Sequence, residues 1–125
     1  MAIDPASGLL FAADFAGWLR CYDAATGKEF WTHDLKAHIW GSPLVADGKV
    51  YLGDEDGDFT VLAAAKEKKL ISETNLGGPI YGAPVVANGT LFVQTSTHLF
   101  AYALSPQSQQ PPGQGGGPPA KALNR

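Results

Sequence analysis

Trp40-Gly41-Ser42-Pro43-Leu44-Val45-Ala46-Asp47-Gly48 returns 41 positions later as Tyr81-Gly82-Ala83-Pro84-Val85-Val86-Ala87-Asn88-Gly89. An aromatic residue, a glycine, a small residue, a proline and an apolar triplet each keep their place, and both copies end in a residue pair that tolerates positive φ. Asp-Gly and Asn-Gly between apolar runs are signals for tight hairpins, because a type I′ turn needs positive φ at both central positions. Leu44-Val45-Ala46 and Lys49-Val50-Tyr51-Leu52 flank the first turn. Val85-Val86-Ala87 and Thr90-Leu91-Phe92-Val93 flank the second. Asp47, Gly48, Asn88 and Gly89 are therefore expected hairpin residues.

Outward from these hairpins the repeat extends over most of the chain. With a shift of 40, Gly8-Leu9-Leu10-Phe11-Ala12-Ala13-Asp14 lies on Gly48-Lys49-Val50-Tyr51-Leu52-Gly53-Asp54. Gly17 then lies on Gly57, Leu19 on Phe59, Cys21 on Val61, and Phe30-Trp31 on Leu70-Ile71. One residue inserted near 73–75 raises the shift to 41 and brings Leu35 onto Leu76. Asp58 to Ala63 alternates Phe59, Val61 and Ala63 on one face, blurred by Leu62. Leu70 to Thr74 reads as a fourth, outer strand, with Ala63 to Lys69 as the loop before it.

Four short strands in about 40 residues match a propeller blade. A helical repeat of the same length is excluded by the β-branched runs, the paired glycine turns and the lack of a sustained 3.6-residue period. The fold class is all-β: an incomplete β-propeller of about two and a half four-stranded antiparallel blades. The units are expected near 8–40, 41–81 and 82–104. The first is expected to begin at its second strand, at Leu9, and the last to stop before its fourth. Residues 105–125 hold five of the nine prolines and Gly115-Gly116-Gly117. That composition cannot bury enough apolar surface to offset its ordering entropy, so a disordered tail is expected.

Cys21-Tyr22-Asp23-Ala24-Ala25-Thr26-Gly27-Lys28-Glu29-Phe30-Trp31 carries the pattern Asp-x-x-Thr-Gly-x-x-x-Trp. It resembles the repeat of the pyrroloquinoline-quinone-like (quinoprotein-type) β-propellers, a resemblance that covers residues 3 to 104. The resemblance implies structural blade-docking roles for Asp23, Thr26, Gly27 and Trp31: the glycine permits a sharp turn and the tryptophan docks on the neighbouring blade. A tryptophan can bury about 150–250 Å² and so join blades where no backbone hydrogen bonds are expected to cross. The second unit has lost the pattern, with Ala63 for Asp23, Lys66 for Thr26, Glu67 for Gly27 and Ile71 for Trp31.

The same family includes alcohol and glucose dehydrogenases that hold the quinone with calcium, a catalytic aspartate and an adjacent-cysteine disulfide. Cys21 is the single cysteine, so that disulfide cannot form here, and no Glu, Asn and Asp set placed for such a site is evident. The chain resembles the non-enzymatic branch of bacterial scaffolds, for which no catalytic, cofactor-binding or metal-binding residue and no cofactor are expected. The alternative is a fragment of a quinone- and calcium-dependent dehydrogenase, carried by fold-level analogy. The partner is expected to be a protein or the remaining blades of a ring that needs about four to eight. Two open blade faces leave the chain open to self-association.

The 125 residues allow one domain, and 45% apolar residues supply a core. A net charge of −3 excludes a nucleic-acid surface, which needs clustered Lys and Arg. No apolar run approaches the roughly 20 residues of a membrane span. Met1 to Gly8 lacks a signal-peptide pattern, whereas the resemblance implies the periplasm or cell envelope; the compartment stays open, and a start internal to a longer propeller is expected.

Other motifs have ordinary structural readings. Asp54-Glu55-Asp56-Gly57-Asp58 lacks the sixth-position glycine and twelfth-position carboxylate of a calcium loop and reads as an acidic turn. His33, His38 and His98 match no zinc spacing. Asn88-Gly89-Thr90 is a glycosylation sequon that the hairpin explains. Cys21 reads as a small buried apolar residue. Trp31 and Trp40 are expected between blades, with Trp18 exposed in a turn.

Overall fold

A computed structural model describes residues 1–103 and the backbone of 121–124. Three four-stranded antiparallel sheets follow one another along the chain. The first holds β1 (Ala2–Asp4), β2 (Leu9–Ala13), β3 (Trp18–Asp23) and β4 (Glu29–Asp34). The second holds β5 (Leu44–Ala46), β6 (Lys49–Gly53), β7 (Asp58–Ala63) and β8 (Leu70–Asn75). The third holds β9 (Val85–Ala87), β10 (Thr90–Gln94), β11 (His98–Ala103) and β12 (Lys121–Asn124). Each sheet is ordered as its strands occur in the chain, as expected of propeller blades. No helix long and apolar enough to cross a membrane occurs among the described residues.

Two strands lie outside the sequence expectation. β1 completes the first blade, pairing Ile3 with Leu10. It escaped the self-overlay because Pro5-Ala6-Ser7-Gly8 makes its turn two residues longer than Asp47-Gly48, which breaks the repeat shift at that point. β12 pairs Leu99 with Leu123 and gives the third sheet a fourth strand. Of the tail expected over 105–125, residues 105–120 and 125 lie outside those described.

The Asp-Gly and Asn-Gly pairs make the expected turns. Asp47 and Gly48 have φ of 52° and 70°, and Asn88 and Gly89 have 52° and 72°. Positive φ at both central residues matches the strand twist and fixes the hairpin register.

The core lies between blades. Leu9, Phe11, Leu19, Cys21 and Trp31 of the first blade pack with Val50, Leu52 and Leu62 of the second. Tyr51, Phe59 and Val61, on the opposite face of that second blade, pack with Ile80, Leu91 and Val93. Leu62 blurs the alternation of β7 because both faces of the sheet are covered: Leu62 faces one blade and Val61 the other. A sheet buried on both sides selects apolar residues at consecutive positions.

Pairing corrects the repeat alignment. Trp31 pairs with Cys21 across β3 and β4, and Ser72 pairs with Val61 across β7 and β8. Ser72, not Ile71, therefore holds the position of Trp31. Each ladder shifts register at the next pair, passing over Phe30 and Ile71. The inserted residue lies in the β7–β8 turn and not near 73–75. That turn closes from Ala63 N to Lys69 O, whereas the β3–β4 turn closes from Asp23 N to Lys28 O.

Candidate functional site

The Asp23–Trp31 motif divides into a turn and a contact. Asp23 Oδ1 accepts from the backbone nitrogens of Ala25 at 2.8 Å and Thr26 at 3.3 Å. Thr26 Oγ1 accepts from Lys28 N at 3.3 Å, and Gly27, at φ 78°, donates to Asp23 O. These three residues shape the β3–β4 turn within their own blade. Of the four pattern residues, Trp31 is the one that crosses to the neighbour. It is 8% exposed, its indole Nε1 donates to the Ala65 carbonyl oxygen at 2.9 Å, and its ring lies 6.0 Å from Phe11. Cys21 is buried beside it, and burial pushes its thiol pKa up to about 11.

Backbone hydrogen bonds also tie the interblade segments down, contrary to expectation. Glu55 N donates to His38 O at 2.9 Å, Ser96 N to Pro79 O at 3.0 Å, and Ile80 N to Asp54 O at 3.0 Å. His38 and Pro79 belong to the segments that lead into the second and third blades. These two segments also touch each other: a Cβ on Gly41 would stand 2.5 Å from the Gly82 carbonyl carbon. Only a residue without a side chain allows so close a backbone approach.

Anchored this way, the segments carry Trp40 and Tyr81 to the surface beside Phe15 of the β2–β3 turn, forming a row of aromatic rings. Phe15, Trp40 and Tyr81 are each about half exposed, at 51%, 54% and 51%. Phe15 stacks on His38 at 4.2 Å and meets Trp40 edge-on at 4.8 Å; Trp40 meets Tyr81 edge-on at 6.0 Å. His38 Nδ1 donates to the Phe15 carbonyl oxygen at 2.9 Å, which fixes the ring's tautomer. Trp40 Nε1 donates to Glu55 Oε2 at 3.3 Å. A cavity of about 260 Å³ beside the row is lined by Lys36, His38, Glu55 and Asp56. Trp40 was expected in a blade interface and stands at a junction, but on its surface. The repeated Trp40-Gly41 and Tyr81-Gly82 pairs were the available signal for the row; the part played by Phe15 was not visible in them.

The acidic turn is held by its own backbone. Asp54 is fully buried, and its Oδ1 accepts from Asp56 N and Asp58 N, each at 3.0 Å. Its Oδ2 has no partner. Burial raises the Asp54 pKa above the ordinary 3.8, helped by repulsion from Asp58 and Asp56 and opposed by the backbone donors. Asp14 Oδ1 and Thr95 Oγ1 do the same work in the other blades, accepting from Trp18 N and His98 N. This common turn accounts for the Asp14–Asp54 match in the repeat. His33 has a buried, unpartnered Nδ1, and burial lowers its pKa. Among the described residues, no group of three His, Cys, Asp or Glu side chains is placed to hold a metal ion.

Comparison with known proteins places the chain in context. The family described as outer membrane protein assembly factor BamB matches residues 17–108. The chain is 36% identical over 73 residues to quinoprotein alcohol dehydrogenase PedH of Pseudomonas putida, covering 58% of this chain and 12% of that protein. It is 30% identical over 101 residues to BamB of Yersinia pestis, covering 72% of this chain and 25% of that protein. It thus spans a quarter or less of these relatives. The crystal structure of BamB from Moraxella catarrhalis superimposes with a TM-score of 0.69 at 17% identity, over 82% of this chain and 31% of that one, a likeness of fold alone.

Proposed function

The chain belongs to the family described as outer membrane protein assembly factor BamB, and from that premise we propose that it acts as a non-catalytic part of a larger propeller that presents its loops to a protein partner. The observation that carries this reading is the row Phe15–Trp40–Tyr81. Large rings exposed side by side on anchored backbone have the composition of interface hot spots, where aromatic residues supply contact area at low entropic cost. The adjoining charged residues, Lys36, Glu55 and Asp56, resemble the polar rim that surrounds such anchors. The BamB relatives, named as outer membrane protein assembly factors, support a partner in the cell envelope.

A photo-crosslinking residue at position 15 or 81 tests the reading in the cells that make the protein. A discrete protein adduct from these positions, absent when the crosslinker stands at Lys66, is the expected result. No adduct, or the same adduct from position 66, overturns the proposal. The second reading, part of a quinone-dependent dehydrogenase, is favoured by the 36% identity to PedH. Dye reduction from alcohols after addition of quinone with calcium or a lanthanide would put that reading first.

A further inference from the structure

We propose that the gap between the second and third blades, left where Ser72 takes the place of Trp31, binds a small planar aromatic molecule of indole size. The argument compares two equivalent interfaces in one chain. At the first, Trp31 fills the space over Phe11, Cys21 and Leu62 and is 8% exposed. At the second, the matching positions are Tyr51, Val61 and Tyr102, and the residue that should close the space is a serine. Among the described residues the space stays open: a cavity of about 320 Å³ is lined by Tyr51, Phe59, Val61, Ser72, Leu91 and Tyr102, among others. That volume sits at the small end of ligand pockets, which run from about 300 to 1,000 Å³.

The outer strand records the same loss. Trp31 is a buried residue of β4, whereas every residue of β8 is exposed. The lining favours a flat guest. Tyr51 and Phe59 lie 6.0 Å apart at 16°, and Phe59 and Tyr102 lie 6.4 Å apart at 10°, so the lining contains three nearly parallel rings. Aromatic rings meet such rings by offset stacking or by their edges, with a gain beyond area alone. Ser72, Thr74, Tyr51 and Tyr102 all line the cavity, and each carries a hydroxyl able to accept from a ring N–H or O–H. Indole matches the side chain that occupies the equivalent space one blade earlier.

The test uses indole itself as the probe and the full chain as the receptor. Titration calorimetry should give saturable binding of one indole per chain, and amide shifts should concentrate at Val61, Ser72 and Tyr102. Ser72→Trp should fill the cavity, weaken indole binding by at least about tenfold and raise the melting temperature. Ser72→Phe should weaken it to a smaller degree, which preserves the test if the tryptophan variant does not fold. Trp40→Ala should leave binding unchanged. Absent or non-saturable binding overturns the proposal, as do shifts centred on Phe15, Trp40 and Tyr81, and so does a Ser72→Phe variant that binds as the parent does.

Discussion

Replacing Trp31 by alanine removes the buried side chain that carries the Asp23–Trp31 motif into the next blade. A tryptophan buries about 150–250 Å², and at about 25 cal/mol per Å² that is worth about 4–6 kcal/mol. A compact unfolded chain already hides part of this surface, which lowers the figure by roughly 10–40%. About 3–5 kcal/mol remains, the range seen when large aromatic residues are cut to alanine in cores. The Ala65 carbonyl oxygen also loses its indole donor, a hydrogen bond with a net value of about 1 kcal/mol. Trp31→Phe keeps a six-membered aromatic ring but removes the N–H and the five-membered ring, and should cost less than alanine, about 1–3 kcal/mol. Ser72→Ala is the internal control: it changes the same position one blade later, where the residue is exposed, and should move stability by less than about 0.5 kcal/mol. Urea unfolding followed by circular dichroism reads all three. The midpoint of Trp31→Ala should fall by at least about 1 M, given typical slopes of about 1–3 kcal/mol per M. A fall of less than about 0.3 M would refute the docking role of Trp31, and equal effects at positions 31 and 72 would refute the non-equivalence of the two interfaces.

Three further outcomes can be checked independently. Gly41→Ala drives a Cβ to 2.5 Å from the Gly82 backbone, where no flexible side chain can yield, and should cost about 1–3 kcal/mol in the same urea assay. Asp54→Asn keeps an oxygen for the Asp56 and Asp58 donors while removing a buried charge. Because the folded pKa is raised, ionising Asp54 favours the unfolded chain, so its support for folding is present below 3.8 and lost as pH rises through the folded pKa. The variant should therefore gain on the parent between pH 4 and pH 7; a gap that is constant or narrows over that range contradicts the assignment. Cys21, buried and with its thiol near 11, should resist alkylation at pH 8 in the folded chain and react once urea unfolds it; fast labelling of native protein would place it at the surface.

Much of the fold was readable because its signals are local. A type I′ hairpin is decided by two residues and their φ preferences, so Asp47-Gly48 and Asn88-Gly89 announced two turns and, by their spacing, the blade. Asp23, Thr26 and Gly27 form a turn from hydrogen bonds within six residues of chain, and the Asp-x-x-Thr-Gly pattern marks it. β1 and the inserted residue of the second blade were harder to place. A turn two residues longer than its counterpart, or one residue added in a loop, shifts the overlay without changing composition. Only strand pairing showed that Ser72 stands where Trp31 does.

The aromatic row was less legible, for a reason of distance. Phe15, Trp40 and Tyr81 lie far apart in sequence; Trp40 and Tyr81 come together because segments leading into successive blades run side by side at Gly41 and Gly82, and Phe15 joins them from the β2–β3 turn by stacking on His38. The amino-acid sequence by itself determined a β-propeller repeat, its hairpin turns and the Asp23–Gly27 turn, since these follow from residue-by-residue backbone preference and short-range hydrogen bonding. Only the tertiary structure decided which tryptophan is buried and which is exposed, and where a missing one leaves a cavity. Burial belongs to the space between two sheets, and that space is set by both of them.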